Sequence, residues 1–193
     1  MSTSHPYHHG NVREAVLDAA VLMLDDRSAS ELSLREIASE IGVTHAAPRR
    51  YFADRQALLD ALAVEGFVRL GGRLREAAAA ASAFPAQVRA LAATYLDFTV
   101  SEANLVEVMY AHKRGSGVGA VARSADAAFA PMLDVFRQGR ADGMLEGREP
   151  EHVAMLFLAT LQGIGGLANC GVIPAEQVPA LVDDVAARYG RNS

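Results

Sequence analysis

Basic and small side chains are concentrated in one short stretch of the chain, residues 45–55. The stretch contains His45, Ala46, Ala47, Arg49, Arg50 and Arg55. Small residues let a helix approach base edges closely, and guanidinium groups donate to phosphate oxygens and to the acceptor edge of guanine. A helix with so little aliphatic bulk on its outer side suits the groove of a nucleic acid better than a protein core.

A short helix precedes this stretch. Ser33 followed by Glu36 is a capping box that begins a helix, and the apolar residues at 34, 37, 38 and 41 share one face. Gly42 is suited to the left-handed residue that terminates a helix, so the helix is expected to end at Ile41.

A second helix is expected from His45 to about Phe52, with Thr44 as its N-cap. Pro48 would then occupy the fourth helical position, where its missing amide proton has no intrahelical acceptor. Phe52 is expected to pack inward, and Tyr51 to act as a wedge or a phosphate donor. Two short helices joined by a tight turn predict helix-turn-helix geometry.

Two further arginines flank the pair. Arg35 lies in the first turn of the first helix, where it either touches backbone phosphate or is a solvated surface residue. Arg55 begins the next helix, capped by Asp54, where free amides favour anions. That helix is expected to reach about Ala81, either as a lever between two domains or as a simple connection.

The run VTHAAPRRYFADRQALL, from Val43 to Leu59, resembles the DNA-binding signature of the TetR family of transcriptional regulators. With Tyr7-His8-His9-Gly10 and the helix after it, which Asn11 can cap, the resemblance covers about the first third of the chain. It implies a three-helix DNA-binding domain (1–54) and a larger helical effector and dimerisation domain (55–193). It also implies a homodimer and repression relieved by a small ligand. The residues expected to contact DNA are Arg35, Thr44, His45, Ala46, Ala47, Arg49, Arg50, Tyr51 and Arg55.

The chain is acidic as a whole, but residues 41–56 have a local excess of positive charge. The chain has 193 residues, 51% of them hydrophobic, and a formal net charge of -5, which argues against a protein coated in nucleic acid. Because screening confines charge effects to about 10 Å at moderate salt, the arginines of residues 41–56 outweigh the global sign. The expected partner is a near-palindromic double-stranded DNA operator.

The rest of the chain is alanine-rich and helical, without a strand pattern. Helices are expected at about 86–101, 104–113, 120–142, 150–170 and 175–189, which makes an all-α protein of about nine helices. The longest apolar window, residues 153–168, contains Thr160, Gln162 and three glycines, so we expect a helix buried on both sides and no membrane span. The single cysteine, Cys170, is expected to be a small buried residue, and a reducing cytoplasm is implied.

Glycines in the helix around residue 163 indicate a close approach. Gly163, Gly165 and Gly166 each cost about 1 kcal/mol relative to alanine in a helix interior. A dimer interface that includes Gly163, Gly166 and Leu167 would offset that cost. Packing within the chain and access for a ligand are the alternatives.

The family analogy also implies a ligand pocket in the larger domain. The residues expected to line it are Phe98, Met109, Tyr110, Met132, Phe136, Leu161 and Gln162, with Gln162 or His112 as the polar orienting group. Ordinary core packing is the alternative for each of them.

No catalytic motif is present: the sequence has no HExxH, glycine-rich phosphate loop, GxSxG or paired CxxC. We therefore expect no enzyme, no cofactor and no metal. The rival interpretation is a helical ligand-sensing or protein-interaction module without DNA binding, and a small helical enzyme is a distant third.

Overall fold

The computed structural model describes residues 12–115 and 119–190, with side chains given outside 112–118. In these ranges the chain forms α-helices and short 3-10 helices, without strands, which confirms the all-α class. The helices are α1 (Val12–Asp26), α2 (Leu34–Glu40), α3 (Arg55–Ala79), α4 (Phe84–Ser101), α5 (Ala103–Gly115), α6 (Ala120–Ala141), α7 (Pro150–Asn169) and α8 (Val178–Gly190). The Tyr7–Gly10 run, the cap at Asn11 and the side chain of His112 lie outside the described residues.

The N-terminal unit is built on α1 and α2. The inner side of α1 buries Val16, Ala20 and Leu24, and α2 contributes Ile37 and Ala38 to the same core. Burying each large apolar side chain stabilises the fold by about 1.5–3 kcal/mol, so this shared core holds the two helices together.

The long helix α3 joins this unit to the rest of the protein. Its 25 residues correspond to about 37 Å at 1.5 Å per residue. It ends at Ala79, two residues before the expected end. Its C-terminal half packs against α4, α5 and α6. Gly71 lies directly on α6, where a Cβ would meet the Cα of Ala128 at 2.8 Å, so only glycine allows this approach.

Two polar contacts also tie the N-terminal unit to the larger domain. The Asn104 side chain at the start of α5 donates to the carbonyl of Leu24, at 2.8 Å, in the last turn of α1. Arg69 of α3 bonds Glu65 at 2.9 Å and approaches Asp18 of α1 at 3.5 Å. The domains therefore meet along α1, α3 and α5.

The C-terminal half of the core is a chain of aromatic rings. Phe136 packs edge-on against Phe84 and Phe157, with centroid distances of 5.9 and 5.3 Å, and Phe157 packs against Tyr189 at 5.4 Å. Edge-to-face pairs of this kind add about 0.5–1.5 kcal/mol each beyond their burial. The chain joins α4, α6, α7 and α8 into one body.

The expectation that α7 is buried on both sides is wrong for the single chain. It is long and apolar enough to cross a membrane, with a mean hydropathy of 1.2, but only 28% of that window is buried. Its inner side packs on α4, α6 and α8, while Met155, Leu156 and Leu167 are exposed. Cys170, the C-cap of α7, is also exposed, contrary to expectation, because the helix ends at the surface.

Candidate nucleic-acid interface

Helix α2 begins and ends as its sequence predicts. The Ser33 hydroxyl accepts from the amide of Glu36 at 3.2 Å and donates to the Glu36 carboxylate at 2.8 Å. At the other end Ile41 is the C-cap, and Gly42 has a φ of +70°, a conformation that few other residues adopt at low cost. This turn sets the direction in which the chain enters residues 43–52.

The expected α-helix from His45 to Phe52 is wrong. Residues 45 and 46 form a turn, and Pro48–Arg50 form one 3-10 helix. Pro48 has no amide proton to give to the Thr44 carbonyl, which instead accepts from the Ala47 amide at 2.9 Å. The cap is Ala47 with no side-chain hydrogen bond, so Thr44 does not act as an N-cap. Because Pro48 lacks this amide proton, the segment forms a 3-10 turn in place of the expected α-helix.

The tighter turn is fixed to the protein on its inner side. Pro48 and Phe52 are buried, as expected for Phe52, and the carbonyl of Pro48 accepts from the amides of Tyr51 and Phe52, both at 3.0 Å. The Arg13 guanidinium lies 5.8 Å from the centre of the Phe52 ring. The 3-10 segment is therefore anchored from below while its other side faces solvent.

The outer side of this segment carries the predicted contact residues. A cavity of about 700 Å³ is lined by Arg35, His45, Ala46, Arg49 and Arg55, together with the caps Ser33 and Asp54. Thr44, Arg50 and Tyr51 are exposed beside it, with Tyr51 at 51%, and Ala47 is half-buried. We call these nine predicted residues the reading surface. The structure brings five of them together in the cavity, and the other four belong to the same short segment, residues 44–51.

Two hydrogen bonds position His45 and Arg55 of the reading surface, and sequence reasoning missed both. The Nε2 atom of His45 lies 3.2 Å from the Ser39 hydroxyl, and Arg55 donates through Nη2 to the carbonyl of Ala29 at 2.5 Å. The partners are six and twenty-six residues apart, distances over which no periodic pattern pairs side chains. Asp54 caps α3 as predicted, accepting from the Ala57 amide at 2.8 Å.

The electrostatics of this edge oppose those of the whole chain. Residues 41–56 contain three arginines and only one acid, Asp54. Two of these arginines, Arg49 and Arg55, line the groove, and Arg35 of α2 adds a third guanidinium group to it. Among the described residues, no hydrogen bond or ion pair engages Arg49 or Arg50. Free guanidinium groups on an exposed, narrow edge are suited to phosphate oxygens and to guanine.

The residues predicted to line a ligand pocket lie in two settings. Phe98, Met109, Phe136 and Leu161 are fully buried core residues, and Met132 is at the base of a groove between α6 and α7. Tyr110 and Gln162 meet at Tyr95, whose hydroxyl donates to the Gln162 carbonyl oxygen and lies 2.8 Å from the Tyr110 hydroxyl. We call these three residues the tyrosine cluster.

Burial keeps the tyrosine cluster uncharged. Desolvation raises the pKa of Tyr95, and the neighbouring Tyr110 raises it further. Burial likewise raises the pKa of Tyr110, although its hydrogen bond with Tyr95 acts in the opposite direction. Both hydroxyls are therefore neutral donors and acceptors at physiological pH.

The three glycines of α7 have different surroundings. A Cβ on Gly165 would meet the Thr99 side chain at 2.5 Å, so this glycine serves packing within the chain. At Gly163 and Gly166 an added Cβ would meet no atom within 4 Å, and Leu167 is 47% exposed. The residues predicted for the dimer interface thus lie on an open face of α7.

Comparisons with known proteins agree with this architecture. Residues 16–62, from within α1 to the first part of α3, match the family of bacterial regulatory proteins called the tetR family. A comparison with curated protein sequences gave no significant match.

Solved structures of the same fold cover nearly the whole chain. A protein of unknown function from Rhodococcus sp. RHA1 is 34% identical, with a TM-score of 0.88 over 98% of this chain and 100% of that one. The TetR-like regulator LfrR from Mycobacterium smegmatis, in complex with proflavine, is 23% identical, with a TM-score of 0.67 over 91% of this chain and 93% of that one. The TetR family regulator PfmR from Thermus thermophilus is 12% identical, with a TM-score of 0.70 over 91% of this chain and 96% of that one.

The match to the family model covers the helix-turn-helix and the reading surface, and the structural matches extend through the larger helical domain. The chain therefore carries the DNA-binding domain of the tetR family of bacterial regulatory proteins, and nearly its whole length has the fold of TetR-like regulators.

Proposed function

We propose that this protein is a homodimeric repressor that binds a near-palindromic DNA operator and is released from it by a small apolar or amphipathic ligand. The single observation that supports DNA binding most directly is the reading surface, where Arg35, Arg49 and Arg55 line one open groove. A cytoplasmic location fits such a regulator.

In this proposal the four arginines of the reading surface have two different roles. Arg49 and Arg50 extend from the 3-10 segment and are free to read base edges or hold phosphates. Arg35 and Arg55 flank the groove at the first turns of α2 and α3, where phosphates of the backbone would lie. The half-buried Ala47 supports the turn more than it contacts DNA.

A dimer would place two reading surfaces on successive major grooves. Gly163, Gly166 and Leu167 support an interface on α7, because their face is open and the exposed Met155 and Leu156 flank it. Two-fold symmetry at α7 would position the two reading surfaces about one helical turn apart, or somewhat more.

Ligand release needs an element shared by both domains. Helix α3 carries Arg55 at one end and packs on α4, α5 and α6 at the other, which supports its role as a lever. A ligand acts only through its different affinities for the two spacings of the reading surfaces, typically about 1–3 kcal/mol. LfrR, a regulator of the same fold, was solved with proflavine, which supports a small-molecule effector here.

DNA binding is tested by gel shift with duplexes from the region upstream of the protein's own coding sequence, against unrelated duplexes. Arg49→Ala should weaken binding by about 1–3 kcal/mol and reduce the salt slope by about one if Arg49 holds a phosphate. Arg75→Ala is the matched control, since Arg75 is also exposed but lies twenty residues beyond Arg55 along α3. Equal effects of both variants, or no binding to any duplex, would favour the ligand-sensing module without DNA binding.

The interface is tested by sedimentation of Gly166→Leu, which should convert dimer to monomer because a large side chain would fill the open face. Gly72→Leu is the control, since an added Cβ at Gly72 of α3 also meets nothing within 4 Å. A Gly166→Leu dimer of undiminished affinity would move the interface elsewhere.

A further inference from the structure

The turn after α2 brings His45 back against the end of that helix. The Val43 amide donates to the Ala38 carbonyl at 2.9 Å. The Gly42 amide donates to the Ser39 carbonyl at 3.3 Å. These two bonds, with Gly42 in the left-handed conformation, form a Schellman motif, which fixes the direction of the chain beyond the helix. His45 lies beside Ser39 for this reason.

The Ser39 hydroxyl joins α2 to the imidazole of His45. A hydroxyl has one proton, and that of Ser39 is donated to the Arg35 carbonyl, one turn back along the helix, at 3.1 Å. The same oxygen lies 3.2 Å from Nε2 of His45. Because its proton is already used, the oxygen is the acceptor in this second bond, and Nε2 of His45 is the donor.

This bond determines the state of the other ring nitrogen of His45. In a neutral imidazole one nitrogen donates and the other accepts, and a hydrogen bond to one of them sets the tautomer. With the hydrogen on Nε2, the Nδ1 atom is an acceptor. No residue in the described part of the chain donates to this atom, and the side chain of His45 is exposed and lines the groove of the reading surface.

The charged side chains that line the same groove have different chemistry. Arg35, Arg49 and Arg55 present only donors. Asp54 caps α3, with its carboxylate bonded to a backbone amide of the first turn. Guanidinium donors match phosphate oxygens and the acceptor edge of guanine, whereas a nitrogen acceptor matches neither. His45 therefore has a different target on DNA from the arginines around it.

The Nδ1 acceptor selects among the four bases. In the major groove only adenine and cytosine present a hydrogen-bond donor, which is the exocyclic amino group of each base. Guanine and thymine present acceptors there, whose lone pairs would face that of Nδ1. We propose that His45 reads such an amino group, of adenine or of cytosine, at one position of each half-site. Ser39 is the positioning residue, because it holds Nε2 and leaves Nδ1 as the acceptor.

This inference rests on the proposed DNA binding and adds the chemical class of base that the reading surface selects. The tautomer is measured first, without DNA. Full-length protein is prepared with ¹⁵N-labelled histidine, and long-range ¹⁵N–¹H correlation spectra at mildly alkaline pH show which ring nitrogen carries hydrogen. The signals of His45 are those missing from the spectrum of His45→Ala. We expect the hydrogen on Nε2, with a resonance that shifts in Ser39→Ala. A wild-type His45 with its hydrogen on Nδ1 overturns the proposal.

The base class is tested on duplexes that the wild-type protein selects from a random library. At one position of each half-site the selected base should be adenine or cytosine, and this preference should disappear in selections with His45→Ala or Ser39→Ala. Ser39→Thr keeps a hydroxyl and should retain the preference. Ser101→Ala, which removes an exposed hydroxyl at the end of α4, is the matched control and should change nothing.

Two results of these selections overturn the proposal. A preference for guanine or thymine that depends on His45 would mean that the ring presents a donor. A uniform loss of affinity for all sequences in His45→Ala would mean that the ring holds a phosphate.

Removal of the amino group identifies the contact. At the position that depends on His45, adenine or cytosine is replaced by the analogue that lacks only the exocyclic amino group, purine or pyrimidinone. The wild type should bind the altered duplex about three- to tenfold more weakly, which is the range for one lost hydrogen bond. His45→Ala should bind both duplexes equally. An equal loss in the two proteins overturns the assignment of the amino group to His45.

The outcomes separate this inference from the proposed function. Wild-type protein that selects a site without an adenine or cytosine dependent on His45 overturns the inference and leaves DNA binding intact. Wild-type protein that enriches no duplex overturns DNA binding, and this inference with it.

Discussion

At the reading surface, Arg49 and Arg50 extend their guanidinium groups into solvent, whereas in the larger domain the Tyr95 hydroxyl is enclosed and bonded to Tyr110 and Gln162. Both regions are rich in hydrogen-bond donors. The exposed donors contribute little to folding, since water satisfies them as well as the protein does. The buried donors must be satisfied internally, because an unpaired buried group costs about 1–3 kcal/mol. The donors of the reading surface are thus available to a binding partner, whereas those of the tyrosine cluster stabilise the fold.

The comparison predicts that variants of the two regions affect different measurements. Changes in the interior should lower the free energy of unfolding and leave the intrinsic chemistry of the reading surface unaltered. Changes at the reading surface should lower DNA affinity and leave stability nearly unaltered.

The largest effect is expected at the contact between α3 and α6. Gly71→Ala places a Cβ 2.8 Å from the Ala128 backbone, whereas Gly72→Ala meets nothing within 4 Å. Overpacking should destabilise the first variant by about 1–3 kcal/mol, and the helix propensity of alanine should stabilise the second by up to about 1 kcal/mol. Denaturant unfolding measures the difference. Equal free energies of unfolding for the two variants would show that the α3–α6 contact accepts the added methyl group without a loss of stability.

A pair of hydroxyl deletions sharpens the comparison directly. Tyr95→Phe should lower the free energy of unfolding by about 1–2 kcal/mol, because Tyr110 and Gln162 lose a buried partner. Tyr51→Phe removes an exposed hydroxyl and should change stability by less than about 0.5 kcal/mol. Thermal unfolding and gel shifts are run on both. A stability loss at Tyr51 that matched the loss at Tyr95 would break the distinction.

Arg55 belongs to the reading surface, but it also makes a bond within the protein, since it lines the groove and donates to the Ala29 carbonyl. Arg55→Ala should reduce the salt slope of DNA binding by about one and cost about 0.5 kcal/mol of stability. Arg55→Lys keeps the charge and should restore the slope without the bond to Ala29. DNA titrations at several salt concentrations show whether Arg55 binds a phosphate or only stabilises the protein through its bond to Ala29.

The smallest effect concerns alkaline pH. Burial raises the pKa of Tyr95 above the value of about 10 that it has in the unfolded chain. Its contribution to stability is therefore present below pH 10 and is lost as the pH rises through the folded pKa. Between pH 9 and 10.5 wild type should lose more of its free energy of unfolding than Tyr95→Phe. Parallel pH profiles for the two proteins would contradict the internal position of this hydroxyl.

The fold was largely predictable because its signals are local. The Ser33 cap, the left-handed Gly42 and the Asp54 cap each act within four residues, and the structure has all three, although the Glu36 carboxylate accepts from the Ser33 hydroxyl and not from its amide. The inward position of Phe52 was also predicted, and the structure buries this side chain.

The two errors had different causes, one local and one distant. The pattern from His45 to Phe52 is helical in composition, but the missing amide of Pro48 shifts the hydrogen bonding to a 3-10 turn. The exposure of α7 could not be predicted either, because an apolar helix that faces a second subunit has the same composition as one buried twice.

The sequence alone was enough for the family resemblance, the helical class, the caps at Ser33 and Asp54, and five of the side chains that line the groove of the reading surface. Tertiary structure alone decided that Gly165 packs against Thr99 while Gly163 and Gly166 remain open, that Ser39 bonds His45, and that Tyr95 unites Tyr110 with Gln162. The physical reason is range. Caps and periodicity depend on neighbours within one or two turns, whereas these contacts depend on how separate helices settle against one another in space.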